Sequence, residues 1–111
     1  MSEQVASPWE AKRTDETRLV EDVLRKTFPN TDAYRYNSAS IRIRVVDDRF
    51  KGKSIEERDA MVEPLLEQLP EETQADIMNL LTLHNDELGG GLSFRAFLAN
   101  EEFENPSESM L

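Results

Sequence analysis

The stretch "VVDDRFKGKSIEER", residues 45–58, decides how the chain is built. An alternating run, a loop containing Gly52-Lys53-Ser54 and then a helix start follow in the order of a phosphate-binding strand, loop and helix. A phosphate loop reads G-x-x-x-x-G-K-[ST], and here Asp47 stands where the first glycine belongs, with Asp48 behind it. Two carboxylates would face the phosphates they should cradle. The run before the loop is half polar, whereas the strand leading into such a loop is normally buried on both faces of a parallel sheet, for which 111 residues are too few. The stretch therefore reads as a turn. Ser54 and Glu57 make the S-x-x-E capping box, each closing an otherwise orphan backbone donor, and Gly52 permits the bend before it.

On the C-terminal side of this turn the spacing predicts a helix over about 55–69, with Ile55, Met61, Val62, Leu65, Leu66 and Leu69 on one stripe. Pro64 falls inside it and should bend it, and Pro70 marks its end. Further back, residues 15–28 place Leu19, Val20, Val23, Leu24 and Phe28 at helical spacing, with Thr14 or Asp15 to cap the start and Pro29 to stop it. Between the two helices Tyr34 and Tyr36 alternate with polar neighbours, Asn37-Ser38-Ala39-Ser40 is turn chemistry, and Ile41, Ile43 and Val45 alternate with Arg42, Arg44 and Val46. This is a hairpin. With helices on one side of the sheet only, Arg42 and Arg44 fall on the open side.

The net charge of −10 is unevenly spread: residues 1–58 hold twelve Lys/Arg against eleven Asp/Glu, and residues 59–111 hold one against twelve. Within 35–53 the sign inverts, because Arg35, Arg42, Arg44, Arg49, Lys51 and Lys53 outweigh Asp47 and Asp48. That ribbon is the candidate anion-facing surface, set against the plainer reading of a solvated face. No cysteine is present, so disulfides, thiolate metal sites and cysteine nucleophiles are excluded, and the single histidine, His84, removes most zinc chemistry. No apolar run approaches the roughly eighteen residues that cross a bilayer, and the N-terminus has no apolar signal core, so the expectation is a cytoplasmic protein without a membrane partner.

Residues 75–83 are ambiguous by pattern, since Ile77, Leu80, Leu81, His84 and Leu88 make a helical stripe while Ile77, Asn79, Leu81 and Leu83 alternate. Periodicity slightly favours a helix. A resemblance bears on the choice: "DDRFKGKSIEERDAMVEPLLEQL", residues 47–69, resembles the signature of the BolA family, with Arg49, Phe50, Gly52, Arg58 and Met61 at the matching positions. The likeness runs back through Phe28-Pro29 and forward through "LLTLHNDEL", where Thr82, Leu83 and Glu87 match, and so covers about 15–88. It implies a KH-like α-β-β-α-β module and makes 75–83 a strand. The resulting fold class is α+β: one small domain whose three-stranded sheet carries two helices on one face, plus a C-terminal extension.

The departures from that family bear on function. BolA-like proteins pair with monothiol glutaredoxins around a shared iron–sulfur cluster, through a histidine at the start of the last strand and often a Cys or His between the first two strands. Here Asp76 holds the first position, the loop 37–40 has neither ligand, and Asp59 stands where the family often has histidine after arginine. A carboxylate is a poor ligand for a thiolate-rich cluster. His84 lies eight residues beyond Asp76 and reads as a surface loop histidine, and Glu56, Glu57, Asp59, Asp86 and Glu87 read as solvated charge. No enzyme and no cofactor are expected.

Residues 1–13, including Trp9, read as a flexible arm, 14–88 as the module, and 89–111 as a tail hinged at Gly89-Gly90-Gly91. In the tail Leu92, Phe94, Phe97 and Leu98 either fold back over the module, the preferred reading, or dock on a partner, with Phe94, Phe97 and Leu98 the candidate contacts. The leading expectation is a non-enzymatic protein-binding or regulatory module. Behind it stand a divergent glutaredoxin-linked BolA protein and a nucleic-acid binder using Arg42, Arg44, Arg49, Lys51 and Lys53, the latter opposed by overall acidity and the lack of a G-x-x-G loop.

Overall fold

The turn at 47–54 is where the chain passes from sheet to helix. The computed structural model describes residues 7–110. Gly52 sits at φ +74°, the left-handed region a side chain disfavours, and the reciprocal box holds: Ser54 Oγ accepts from Glu57 N at 3.1 Å while Glu57 Oε1 accepts from Ser54 N at 2.9 Å. Asp47 and Asp48 tie the loop down. Asp47 Oδ1 accepts from Arg49 N at 2.8 Å, and Asp48 Oδ1 accepts from Asn85 N at 3.0 Å.

The elements are α1 (Asp15–Arg25), β1 (Thr31–Asn37), β2 (Ser40–Val46), α2 (Ile55–Leu66), α3 (Glu71–Asp76), β3 (Ile77–Leu83) and α4 (Phe94–Glu104), with single 3-10 turns at Pro8–Lys12, Asp48–Phe50 and Asn85–Glu87. The fold is mixed α+β around a three-stranded sheet ordered β1-β2-β3. β1 and β2 are antiparallel across the tight turn Ser38-Ala39, and β2 and β3 are parallel, the α2–α3 segment supplying the crossover that parallel strands need. Thr14 caps α1 through a box with Thr17. α1 ends at Arg25, four residues before Pro29, because the chain must turn to enter β1.

Residues 75–83 split between the two readings. Pro70-Glu71-Glu72 does start a helix, the short α3, and the strand takes over at Ile77. Residues 75 and 76 are therefore helical, a correction to the expected strand start. From Ile77 onward the chain pairs with β2 in parallel, Ile41 opposite Ile77 through Val46 opposite Leu83, and Ile77 and Leu80 pack against the core.

One face of the sheet presents Ala33, Ile41, Ile43 and Val45 to Val20 and Leu24 of α1 and Val62 of α2, with Phe28 and Phe50 stacked at 5.6 Å beneath them. The second face is not open. α4 folds back across it, and with Trp9 from the N-terminal 3-10 turn forms a separate aromatic cluster of Trp9, Tyr34 and Phe103. Trp9 is 3% exposed, so the flexible-arm expectation fails for the described part of residues 1–13; residues 1–6 lie outside the described residues. The physical reason is that Tyr34, one residue out of phase with Ala33, puts a large ring on the second face, which needs apolar cover.

Candidate functional site

The arginine ribbon meets α4. Arg42 donates to Glu102 Oε2 at 2.8 Å and to Tyr34 Oη at 3.0 Å, and its guanidinium lies 3.6 Å over the Tyr36 ring. Arg44 is bound by Glu104 Oε1 at 2.8 Å, Asp32 Oδ2 at 2.7 Å and Asn100 Oδ1 at 2.9 Å, and lies over Phe103. Burial pushes the Glu102 and Glu104 carboxyls up, but the arginine bonds outweigh it and hold both below the ordinary glutamate range. Arg42 and Arg44 were expected on an open side; they are covered, because α4 returns the carboxylates of Glu102 and Glu104 to them. Most of the ribbon is likewise spent: Arg35 pairs with Glu16 and Asp76, Arg49 with Asp47, and Lys51 with Asp86. Lys53 is the member left without an ion pair among the described residues.

Asp76, which the resemblance sets at the ligand position, is held by Arg35 Nη2 at 2.9 Å. A cluster is not suited to these residues, since that carboxylate is committed to a guanidinium and the β1–β2 turn offers no soft donor. Among the described residues no group of three or more His, Asp or Glu is placed to hold a metal ion.

His84 is a second correction. It is buried rather than a surface residue, following β3 directly, with Nε2 3.7 Å from Glu87 Oε1 and Nδ1 without a hydrogen-bond partner among the described residues. Glu87 is not solvated charge either. Its Oε1 accepts from Arg58 Nη1 at 2.7 Å and from His84 N at 2.9 Å, while Arg58 also donates to the Thr82 carbonyl at 3.0 Å. Burial pushes the Glu87 carboxyl up, and the His84 backbone N–H and the Arg58 guanidinium bring it below its ordinary value. Asp59 goes the other way, pushed up by burial and by Glu63. Arg58, Thr82 and Glu87, three positions that carry the resemblance, thus meet in one buried knot joining α2 to the end of β3.

The tail does fold back, but not by the expected residues. Phe94 and Leu98 are 68% and 50% exposed, and Phe97 packs on the 89–91 turn, where a Cβ on Gly90, at φ +82°, would come to a tight 3.2 Å from its ring. Phe103, a lone aromatic in an acidic stretch, carries the docking together with Trp9. Neither had a periodic neighbour to flag it. Beside α4 opens a cavity of about 400 Å³, lined by Lys53, Ser54 and Arg58 from the start of α2 and the loop before it, Leu81 and Leu83 of β3, and Ser93, Arg95 and Ala96 from the start of α4.

Comparison with protein-family models, with curated proteins and with solved structures gives no match to this chain. Among the described residues no helix is long and apolar enough to cross a membrane.

Proposed function

We propose that this chain is a small protein-binding module of BolA-like type whose partner docks on the outer face of α4. The observation that carries the reading is the pair Phe94 and Leu98, exposed one turn apart on a helix whose other side is already committed to the sheet, with Leu92 exposed just before them. Large apolar side chains gathered on a surface mark interaction sites more than singly scattered ones do. The partner presents an apolar groove with lysine or arginine at its edge, because Glu101, exposed three residues after Leu98, adds negative charge beside the patch in a strongly acidic chain. The role is binding and not catalysis: the buried carboxylate Glu87 is occupied by Arg58, and Asp76 by Arg35. The α-β-β-α-β order, with the short α3 added before the last strand, and the buried Arg58–Thr82–Glu87 knot support kinship with the BolA family.

A glutaredoxin-linked role has less support, since Asp76 takes the ligand position and is paired. Nucleic-acid binding by the ribbon has less support because phosphates need free cations, and Arg42 and Arg44 already hold carboxylates. The test is affinity capture from the native cell with the full chain and with a Phe94→Ser/Leu98→Ser variant whose folding is checked by Trp9 emission. A protein retained by the first and lost by the second, then rebound when purified, is the expected result. Identical retention on both, salt-dependent binding of single-stranded RNA, or stoichiometric iron in a complex with a glutaredoxin would each replace the reading.

A further inference from the structure

We propose that the cavity between the start of α2, β3 and the start of α4 binds a small organic monoanion, a carboxylate carried on an apolar chain or ring. Its volume, about 400 Å³, lies in the range of small-molecule sites. Ile55, Leu81, Leu83, Ala96 and Ala99 supply apolar surface for a ligand body.

Charge decides the head group. The lining holds Lys53, Arg58 and Arg95 against Glu87 alone, in a chain of net charge −10. Arg58 and Glu87 neutralise one another at 2.7 Å, which leaves Lys53 and Arg95. These two are distinctive. Lys53 is the unpaired residue of the 35–53 ribbon, and Arg95 is the sole basic residue after Arg58; neither has an ion-pair partner among the described residues. Two cations without an ion pair among the described residues, both lining one largely apolar cavity of a strongly acidic protein, bring positive potential to it. The caps of two helices of eleven or more residues, Ser54 of α2 and Ser93 of α4, also line the cavity, so the positive ends of both add to the same field. Glu87 on the lining argues for one negative charge rather than two, and hence for a carboxylate over a phosphate monoester.

This site is independent of the partner face, since Phe94 and Leu98 do not line it. The test is a titration of the full chain, labelled with nitrogen-15, with octanoate, and in parallel with octan-1-ol and with inorganic phosphate, following backbone amides by NMR. Octanoate is expected to shift Ser54, Ile55 and Ser93 to Ala96 saturably, with weaker effects from the alcohol and from phosphate. Lys53→Ala/Arg95→Ala should weaken octanoate about tenfold, the loss of roughly 1.4 kcal/mol. Ala96→Leu, which fills the cavity from the α4 side, should abolish binding while leaving Trp9 emission unchanged. Absence of saturable shifts, equal affinity for octan-1-ol, or undiminished affinity in the double variant overturns the proposal, and none of these results bears on partner capture through Phe94 and Leu98.

Discussion

Replacing Phe103 with alanine should cost the fold about 3 kcal/mol, and the figure follows from where the ring lies. Phe→Ala in a packed core costs about 3–5 kcal/mol. Phe103 is 3% exposed and meets Tyr34 edge-on at 4.7 Å and Trp9 at 5.6 Å, which argues for the full range. It belongs, however, to a small cluster under a terminal helix and not to the main core, and α4 can lift away before the rest unfolds. The lower end is therefore expected. In a domain of this size that corresponds to a fall in Tm on the order of 10–20 °C. The assay is urea denaturation followed by fluorescence, for which Trp9 is the single tryptophan and sits in the cluster itself. The variant should unfold at lower urea and its native emission should already be red-shifted, as Trp9 loses its cover. Phe94→Ala on the same helix removes an equal ring from an exposed position and should stay within about 0.5 kcal/mol of the parent. If the two variants unfold at the same midpoint and Trp9 emission is unmoved, the docking of α4 on the second sheet face is wrong.

Arg58→Ala should destabilise by about 3 kcal/mol or more, because it leaves the buried Glu87 carboxylate uncompensated, and the double change Arg58→Met/Glu87→Gln should be milder; a single-variant loss below about 1 kcal/mol by urea titration contradicts the knot. Gly52→Ala should cost about 1–2 kcal/mol by calorimetry, all of it from the φ of +74° since nothing lies within 4 Å of the added Cβ, and a much larger loss would mean a clash that the loop does not contain. The depressed Glu102 and Glu104 carboxyls make α4 docking acid-labile: their contribution is present above the ordinary glutamate value of 4.5 and is lost as pH falls through the lower folded values. Trp9 emission should red-shift in that acid range before the global transition, a local readout that Asp59, whose raised carboxyl acts in the opposite sense, does not disturb; emission lost only together with the whole fold would count against it.

The local features were legible because their causes are local. A capping box closes within four residues, a turn glycine acts on its own φ, and Ile41, Ile43 and Val45 declare a buried face by alternation alone. The same alternation misled on the other face. Arg42 and Arg44 spaced by two residues look solvent-facing, since charge there is usually left in water, and no pattern near them says that carboxylates sixty residues later will cover them. Arg95 and Lys53 likewise read as unrelated charges until the fold set them on the lining of one cavity.

The sequence by itself determined α1, the β1–β2 hairpin, the turn at 47–54 and α2, because backbone propensity, caps and periodicity act over a few residues. What covers the second face of the sheet was decided only by tertiary structure. Trp9 and Phe103 stand at opposite ends of the chain with no periodic neighbours, and their burial comes from a ring-to-ring contact of 5.6 Å that exists only once both ends have returned to Tyr34.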